Sequence, residues 1–198
     1  MKWFLATEDA LSHALARKLL IAAQSNAEIE EDLGQTGNAR LCEDMLNGKY
    51  CSLEKLNPVL LLTDLDQKSC APILKKEWCR DLRMPRNSVF RIVVREAETW
   101  LMADLDAFSH FSGISKGKFP KDVEIFKSPK EQMLNLIRKY GNRKVKDILP
   151  RKGSTAKVSP NYNNILVRFV EESWNPKRAS LHSPSLKKAI HRVSQIIA

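Results

Sequence analysis

Two carboxylates, Asp64 and Asp66, stand two residues apart directly after the apolar run Pro58-Val59-Leu60-Leu61-Leu62-Thr63. A short apolar run of this kind is the signature of a strand buried on both faces of a sheet. Placed two residues apart at the end of such a strand, both side chains point the same way. Like charges that close repel and are costly to desolvate. A divalent cation such as Mg²⁺ or Mn²⁺, which prefers oxygen ligands, is the usual reason to keep them. Glu8 follows another strand pattern, and Glu96 and Glu98 follow a third. Together these acids form a kit for phosphoryl chemistry. Asp64 and Asp66 would ligate a metal ion, and Glu8 would complete its coordination or act as a general base toward water. A second ion, held by Glu96 or Glu98, would stabilise the leaving oxygen. Each acid also has an ordinary alternative role. Glu8 can favour the positive end of the helix after it, Asp64 can cap a helix, and Glu96 and Glu98 can pair with Arg91 and Arg95 on an exposed surface.

The elements that must position these acids alternate. Strand patterns fall at Lys2–Ala6, Pro58–Thr63 and Ser88–Arg95, the last with Phe90, Ile92 and Val94 on one face and Val89, Arg91, Val93 and Arg95 on the other. Helical periodicity spans about Asp9–Gln24, with Asp9 as N-cap and Leu11, Leu15, Leu19 and Ala22 in register, then Ala39–Leu46 and Ala71–Asp81. Residues 26–37 read as a loop around a short edge strand. This order predicts an α/β fold, a mainly parallel sheet flanked by helices, with function at the carboxyl ends of the strands. Strand signals fade after Asp106, which divides the chain into a core at 1–106 and a basic, mostly helical region at 107–198 packed on it. That region contains a capping-box pattern at Ser128-Pro129-Lys130-Glu131, opening a helix that stops at Gly141. A second helix is predicted over Tyr162–Trp174. A third starts at Ser183-Pro184, with Leu186, Ile190, Val193 and Ile197 facing inward. Trp100 and Trp174 lie in apolar helical patterns that suit a core better than a base-stacking platform.

Charge divides the same way. Residues 1–106 carry 14 Lys/Arg against 17 Asp/Glu, and residues 107–198 carry 19 against 6, within a formal net charge of +10. An acidic front half and a basic back half suit a protein that holds cations in one part and a polyanion in the other, and nucleic acid is the natural polyanion. Candidate contacts to it are Arg91, Arg95, Arg151, Lys152, Lys157, Lys187, Lys188 and Arg192. Lys152 and Lys157 lie in the basic loop Pro150–Lys157, and Lys187, Lys188 and Arg192 on the outer face of the last helix. The first residues are too short an apolar run for a signal peptide, and no run approaches a membrane span, so a cytoplasmic location is expected. Cys42, Cys51, Cys70 and Cys79 have no zinc-like spacing and read as reduced thiols.

Glu8, Asp64-Leu65-Asp66 and Glu96/Glu98, each after a strand, resemble the Toprim fold shared by topoisomerases, DnaG-type primases, ribonuclease M5-like proteins and OLD-family nucleases. The string Arg91-Ile92-Val93-Val94-Arg95-Glu96-Ala97-Glu98-Thr99-Trp100-Leu101-Met102-Ala103-Asp104, with Ser183-Pro184-Ser185-Leu186, is similar to small bacterial Toprim-like proteins that often accompany ATPases in phage-defence loci. The resemblance implies that Glu8 is the catalytic acid or base and that Asp64 and Asp66 are ligands to Mg²⁺ or Mn²⁺. It also implies a lysine near the transition state, for which Lys152 or Lys157 stands. The chain departs from the Toprim pattern in having Ala6-Thr7-Glu8-Asp9 where glycine commonly accompanies the first glutamate. The expected activity is a metal-dependent nuclease acting on DNA or RNA, an antiviral effector working with an ATPase partner. The alternative is a non-catalytic Toprim-like module that binds nucleic acid or a partner protein. A transferase using D-x-D to hold a nucleotide's metal is a weaker third option, since the chain has no Gly-rich phosphate loop.

Overall fold

A computed structural model describes residues 1–80 and 87–196; Asp81 and Ile197, named above, lie outside the described residues. Four strands, β1 (Lys2–Thr7), β2 (Glu28–Gln35), β3 (Val59–Asp64) and β4 (Val89–Val93), form one sheet in the order β2-β1-β3-β4. Every pairing in it is parallel. The sheet is central because its strands alternate apolar side chains to both faces, so each face needs a cover. Trp3, Leu5, Leu60, Leu62, Val89 and Val93 point into one apolar cluster, and Phe4, Ala6, Val59, Leu61, Phe90 and Ile92 into the other.

On the smaller face lie α2 (Gly37–Leu46), α3 (Lys49–Leu53) and α4 (Ala71–Cys79), whose Leu41, Met45, Tyr50, Leu74 and Trp78 fill that cluster. The larger face is covered by α1 (Ala10–Ala23) and by helices from the rest of the chain. These are α5 (Ala97–Ala103), α6 (Leu105–Ser112), α7 (Pro129–Tyr140), α8 (Tyr162–Glu172), α9 (Pro176–Ala179) and α10 (Pro184–Ser194). Asp9 caps α1 as expected, its carboxylate accepting the Ser12 N–H at 2.8 Å. Ser183 caps α10 by accepting the Leu186 N–H at 3.2 Å. The neighbouring Ser185 hydroxyl accepts from the Trp100 indole at 2.8 Å, and Glu124 accepts from both the Ser183 hydroxyl and the Ser185 N–H. The Ser183–Leu186 string therefore docks α10 onto α5. Trp100 and Trp174 are core residues joined by a 2.8 Å bond from the Trp174 indole to the Trp100 carbonyl.

Two expectations need correction. The edge strand is not short: β2 runs eight residues despite Glu28, Glu30, Glu31 and Asp32, because pairing with buried β1 overrides the low strand propensity of acids. Those charges also blunt an exposed sheet edge. The capping box at Ser128 does not form, and Ser128 makes no side-chain cap bond. No described strand follows residue 106. That residue lies inside α6, and the larger cluster joins residues from both sides of it.

Asp104 shows how residues on the two sides of position 106 are joined. Its buried carboxylate accepts from the Ala107 and Asn175 backbone N–H groups and from Arg178 through two nitrogens at 2.9 and 2.8 Å. Arg178 thus pins α9 to the α5–α6 elbow. Removing one partner of a buried pair costs about 3–5 kcal/mol, and solvent around the half-exposed Arg178 reduces this to about 2 kcal/mol. Arg178→Ala should lower unfolding free energy by that amount in urea titration; a change below about 0.5 kcal/mol would show that the pair is idle.

Candidate functional site

The connection from β1 leads outward to β2, and that from β3 leads the other way to β4. The crevice between the carboxyl ends of β1 and β3 is therefore the switch point at which open parallel sheets bind ligands. Glu8 follows β1 and Asp64 ends β3, so the crevice is lined with carboxylates.

Asp64 is the most confined of them. Its Oδ2 accepts the Ala97 N–H at the start of α5 at 3.2 Å, whereas its Oδ1 is buried without a hydrogen-bond partner. Burial pushes the Asp64 carboxyl well above the usual carboxylate range, and Glu98, Glu8 and Asp66 push it the same way. Glu8 is also raised, chiefly by burial, against bonds from the Thr63 hydroxyl at 3.0 Å and the Asp64 N–H at 3.4 Å. Asn38 donates in turn to the Thr63 oxygen at 3.3 Å, fixing the group that holds Glu8.

Asp66 reaches the same crevice by a different route from the one its spacing predicts. The strand ends at Asp64, and Asp66 adopts φ 49°, a left-handed conformation that Asp tolerates better than most residues. The alignment by strand period therefore stops two residues short of Asp66. The Asp66 N–H donates to the Arg95 carbonyl at 2.9 Å, and the Arg95 guanidinium donates to the Asp66 and Lys68 carbonyls, both at 3.2 Å. Arg95, expected at a nucleic acid, braces the loop that carries the acids. The Asp66 carboxyl is raised by burial and opposed by Lys130.

Glu96 and Glu98 do not pair with Arg91 or Arg95. Glu96 accepts the backbone N–H of Lys130 at 2.8 Å, replacing Ser128 as the group that satisfies the start of α7. Glu98, 3% exposed, accepts the Tyr162 hydroxyl at 2.5 Å and pairs with the Lys130 ammonium at 3.4 Å. Burial and then Glu98 push the Tyr162 phenol far up, so it stays a proton donor. Burial works against the Lys130 charge, but Glu98, Glu96 and Asp9 outweigh it and hold the ammonium above its ordinary value. The ammonium also lies 4.8 Å from the centre of the Tyr162 ring.

All five acids singled out in the sequence thus meet at one end of the sheet, but the lysine beside them is Lys130. Arg151, Lys152 and Lys157 lie exposed in their loop, and among the described residues none makes an ion pair. Arg91 donates to the Lys188 carbonyl at 2.9 Å, tying β4 to α10, with Arg192 close enough to lower the guanidinium further than burial alone does. Lys187 is exposed on the same helix. The signal for Lys130 was present but negative: a lysine in the first turn of a helix opposes the helix dipole and needs an acidic partner elsewhere.

Among the described residues no three His, Cys, Asp or Glu side chains stand in an arrangement that could already hold a metal ion. The donor chemistry nonetheless fits one. Glu8, Asp64 and Asp66 offer hard oxygens, and the partnerless, buried Oδ1 of Asp64 lacks a positive group against it. Comparison with protein-family models, curated proteins and solved structures gave no match to this chain.

Since the raised Asp64 pKa makes the native state bind a proton more readily than the unfolded chain, ionised Asp64 costs stability. That cost is absent at pH below the ordinary carboxylate value and grows as pH rises through the raised native value. Asp64→Asn keeps an acceptor for Ala97 and turns the partnerless oxygen into a donor toward neighbouring carboxylates. In EDTA at pH 8 it should raise Tm by about 2–4 °C, corresponding to roughly 1 kcal/mol, with the gain vanishing near pH 3. A lower Tm at pH 8 would show that Asp64 is not a repelled charge.

Proposed function

We propose that the chain is a metal-dependent phosphodiesterase acting on nucleic acid. One observation carries this reading: a buried carboxylate with a partnerless oxygen, crowded by further carboxylates at the switch point of a parallel sheet. Asp64 and Asp66, with Glu8, would hold Mg²⁺ or Mn²⁺, which when bound supplies a Lewis acid for the phosphate and lowers the pKa of water. Glu8, raised by burial and aimed by Thr63, suits a general base that takes a proton from water. Lys130, held in its charged state by Glu98 and Glu96, is placed to neutralise charge that develops on a phosphate. Glu96 and Glu98 each have an oxygen already engaged by α7 or α8, which suits positioning Lys130 better than holding a second ion. The Toprim resemblance extends the proposal to an effector that works beside an ATPase in antiviral defence.

A second reading has its own support. Lys130 already compensates part of the acidic cluster, and the carboxylates are not assembled at ligating distances, as befits a sheet that binds without cutting. Incubation with plasmid, single-stranded DNA and tRNA in Mg²⁺ or Mn²⁺ separates the two. We expect cleavage that EDTA stops, that the Asp64→Ala, Asp66→Ala double variant abolishes, and that Lys130→Ala slows by about 10²–10³-fold. Turnover that survives the double variant would overturn the site, and salt-sensitive binding with no turnover in either metal would favour the binding module.

A further inference from the structure

The carboxylates form one wall of a larger feature on the opposite face of the sheet from Lys130. Between α2, α4 and the loop after β3 lies a cavity of about 550 Å³ whose lining includes Asp64 and Asp66. That volume falls within the range of about 300–1,000 Å³ typical of small-ligand sites. Its apolar lining comes from Leu46, Leu74 and Trp78, and the Trp78 ring is held by stacking on Phe90, centroids 5.3 Å apart. Both signs of charge are present in the lining. It includes the acids Asp64 and Asp66, and also Arg80, Glu77 and Lys68, which bear electrostatically on the thiol of Cys42. Lys68 is paired with Glu77 at 2.6 Å, but among the described residues the Arg80 guanidinium has no hydrogen bond or ion pair.

We infer that this cavity receives one unpaired base of a single-stranded nucleic acid, deepening the phosphodiesterase reading on which it rests. The lining holds groups for each part of a nucleotide: Asp64 and Asp66 for a phosphate held through a divalent cation, Leu46, Leu74 and Trp78 for a flat apolar ring, and Arg80 for a neighbouring phosphate. A base inside a duplex is stacked and paired, so only an extruded or single-stranded nucleotide can enter. The substrate class is therefore a single strand, or a strand end or loop with a free base.

Cys42, half-buried in the lining, reports on occupancy without any need for turnover. The wild-type protein would be alkylated with N-ethylmaleimide in Ca²⁺, strand integrity checked on gels, and modification at Cys42 followed by peptide mass spectrometry. Ten-residue DNA and RNA single strands would be compared with an abasic strand of equal length and with a duplex, each at a concentration shown by anisotropy to saturate. We expect the base-bearing single strands to slow Cys42 alkylation at least five-fold, and the abasic strand and the duplex less than two-fold. Equal protection by the abasic strand, no protection by any strand, or no strand binding at all would overturn the inference. Arg80→Ala, at an exposed position, should weaken the base-bearing strand at least five-fold, and unchanged affinity would remove Arg80 from the site. Base-dependent protection without cleavage would keep the pocket and discard the phosphodiesterase reading; cleavage without such protection would do the reverse.

Discussion

A carboxylate cannot be both buried and ionised unless something nearby favours its charge, and Asp64 has little that does. Glu98, Glu8 and Asp66 all push against it, and a single backbone N–H, from Ala97, supports it. Much of the surrounding structure can be understood as management of that crowding. The Asp64 N–H turns back to Glu8, the start of α7 is satisfied by Glu96, and Tyr162 and Lys130 converge on Glu98. Charge left uncompensated after all this is concentrated at one buried oxygen of Asp64, which has no hydrogen-bond partner among the described residues.

This arrangement changes the meaning of the charge asymmetry along the chain. Lys130 and Tyr162 come from the basic half, while the acids they serve come from the acidic half. The two halves are thus parts of one electrostatic unit as well as of one apolar core. The Asp104–Arg178 pair repeats the principle at the α5–α6 elbow, where an acid from the first half is satisfied by groups from the second. Part of the positive excess after residue 106 serves this internal purpose, and the exposed remainder, including Arg151, Lys152, Lys157 and Lys187, is available to a polyanion.

The sheet also divides labour between its faces. On the larger face α7 and α8 bring a fixed cation and a fixed proton donor to the acids. The smaller face leaves a cavity beside Asp64 and Asp66, between α2 and α4, with aromatic and aliphatic walls and the Arg80 side chain in its lining. The strand end joins the two faces, because Asp64 bonds to α5 on one side and lines the cavity on the other.

The sequence alone determined the three buried strands, the parallel sheet and the convergence of Glu8, Asp64, Asp66, Glu96 and Glu98, because buried strands and amphipathic helices announce themselves through local periodicity; the length of the acidic edge strand came from its pairing with β1. The carboxyl ends of parallel strands necessarily share one edge, so acids following each strand had to meet. Tertiary structure alone decided which groups answer them. Lys130 and Tyr162 lie 32 and 64 residues beyond Glu98, and no local pattern relates such positions. Lys152, more conspicuous in its basic loop, was the natural candidate for the same reason: sequence displays local density of charge, whereas pairing depends on where helices pack. The turn at Asp66, the bracing by Arg95 and the cavity between α2 and α4 likewise arise from contacts between distant segments, which only the folded chain brings together.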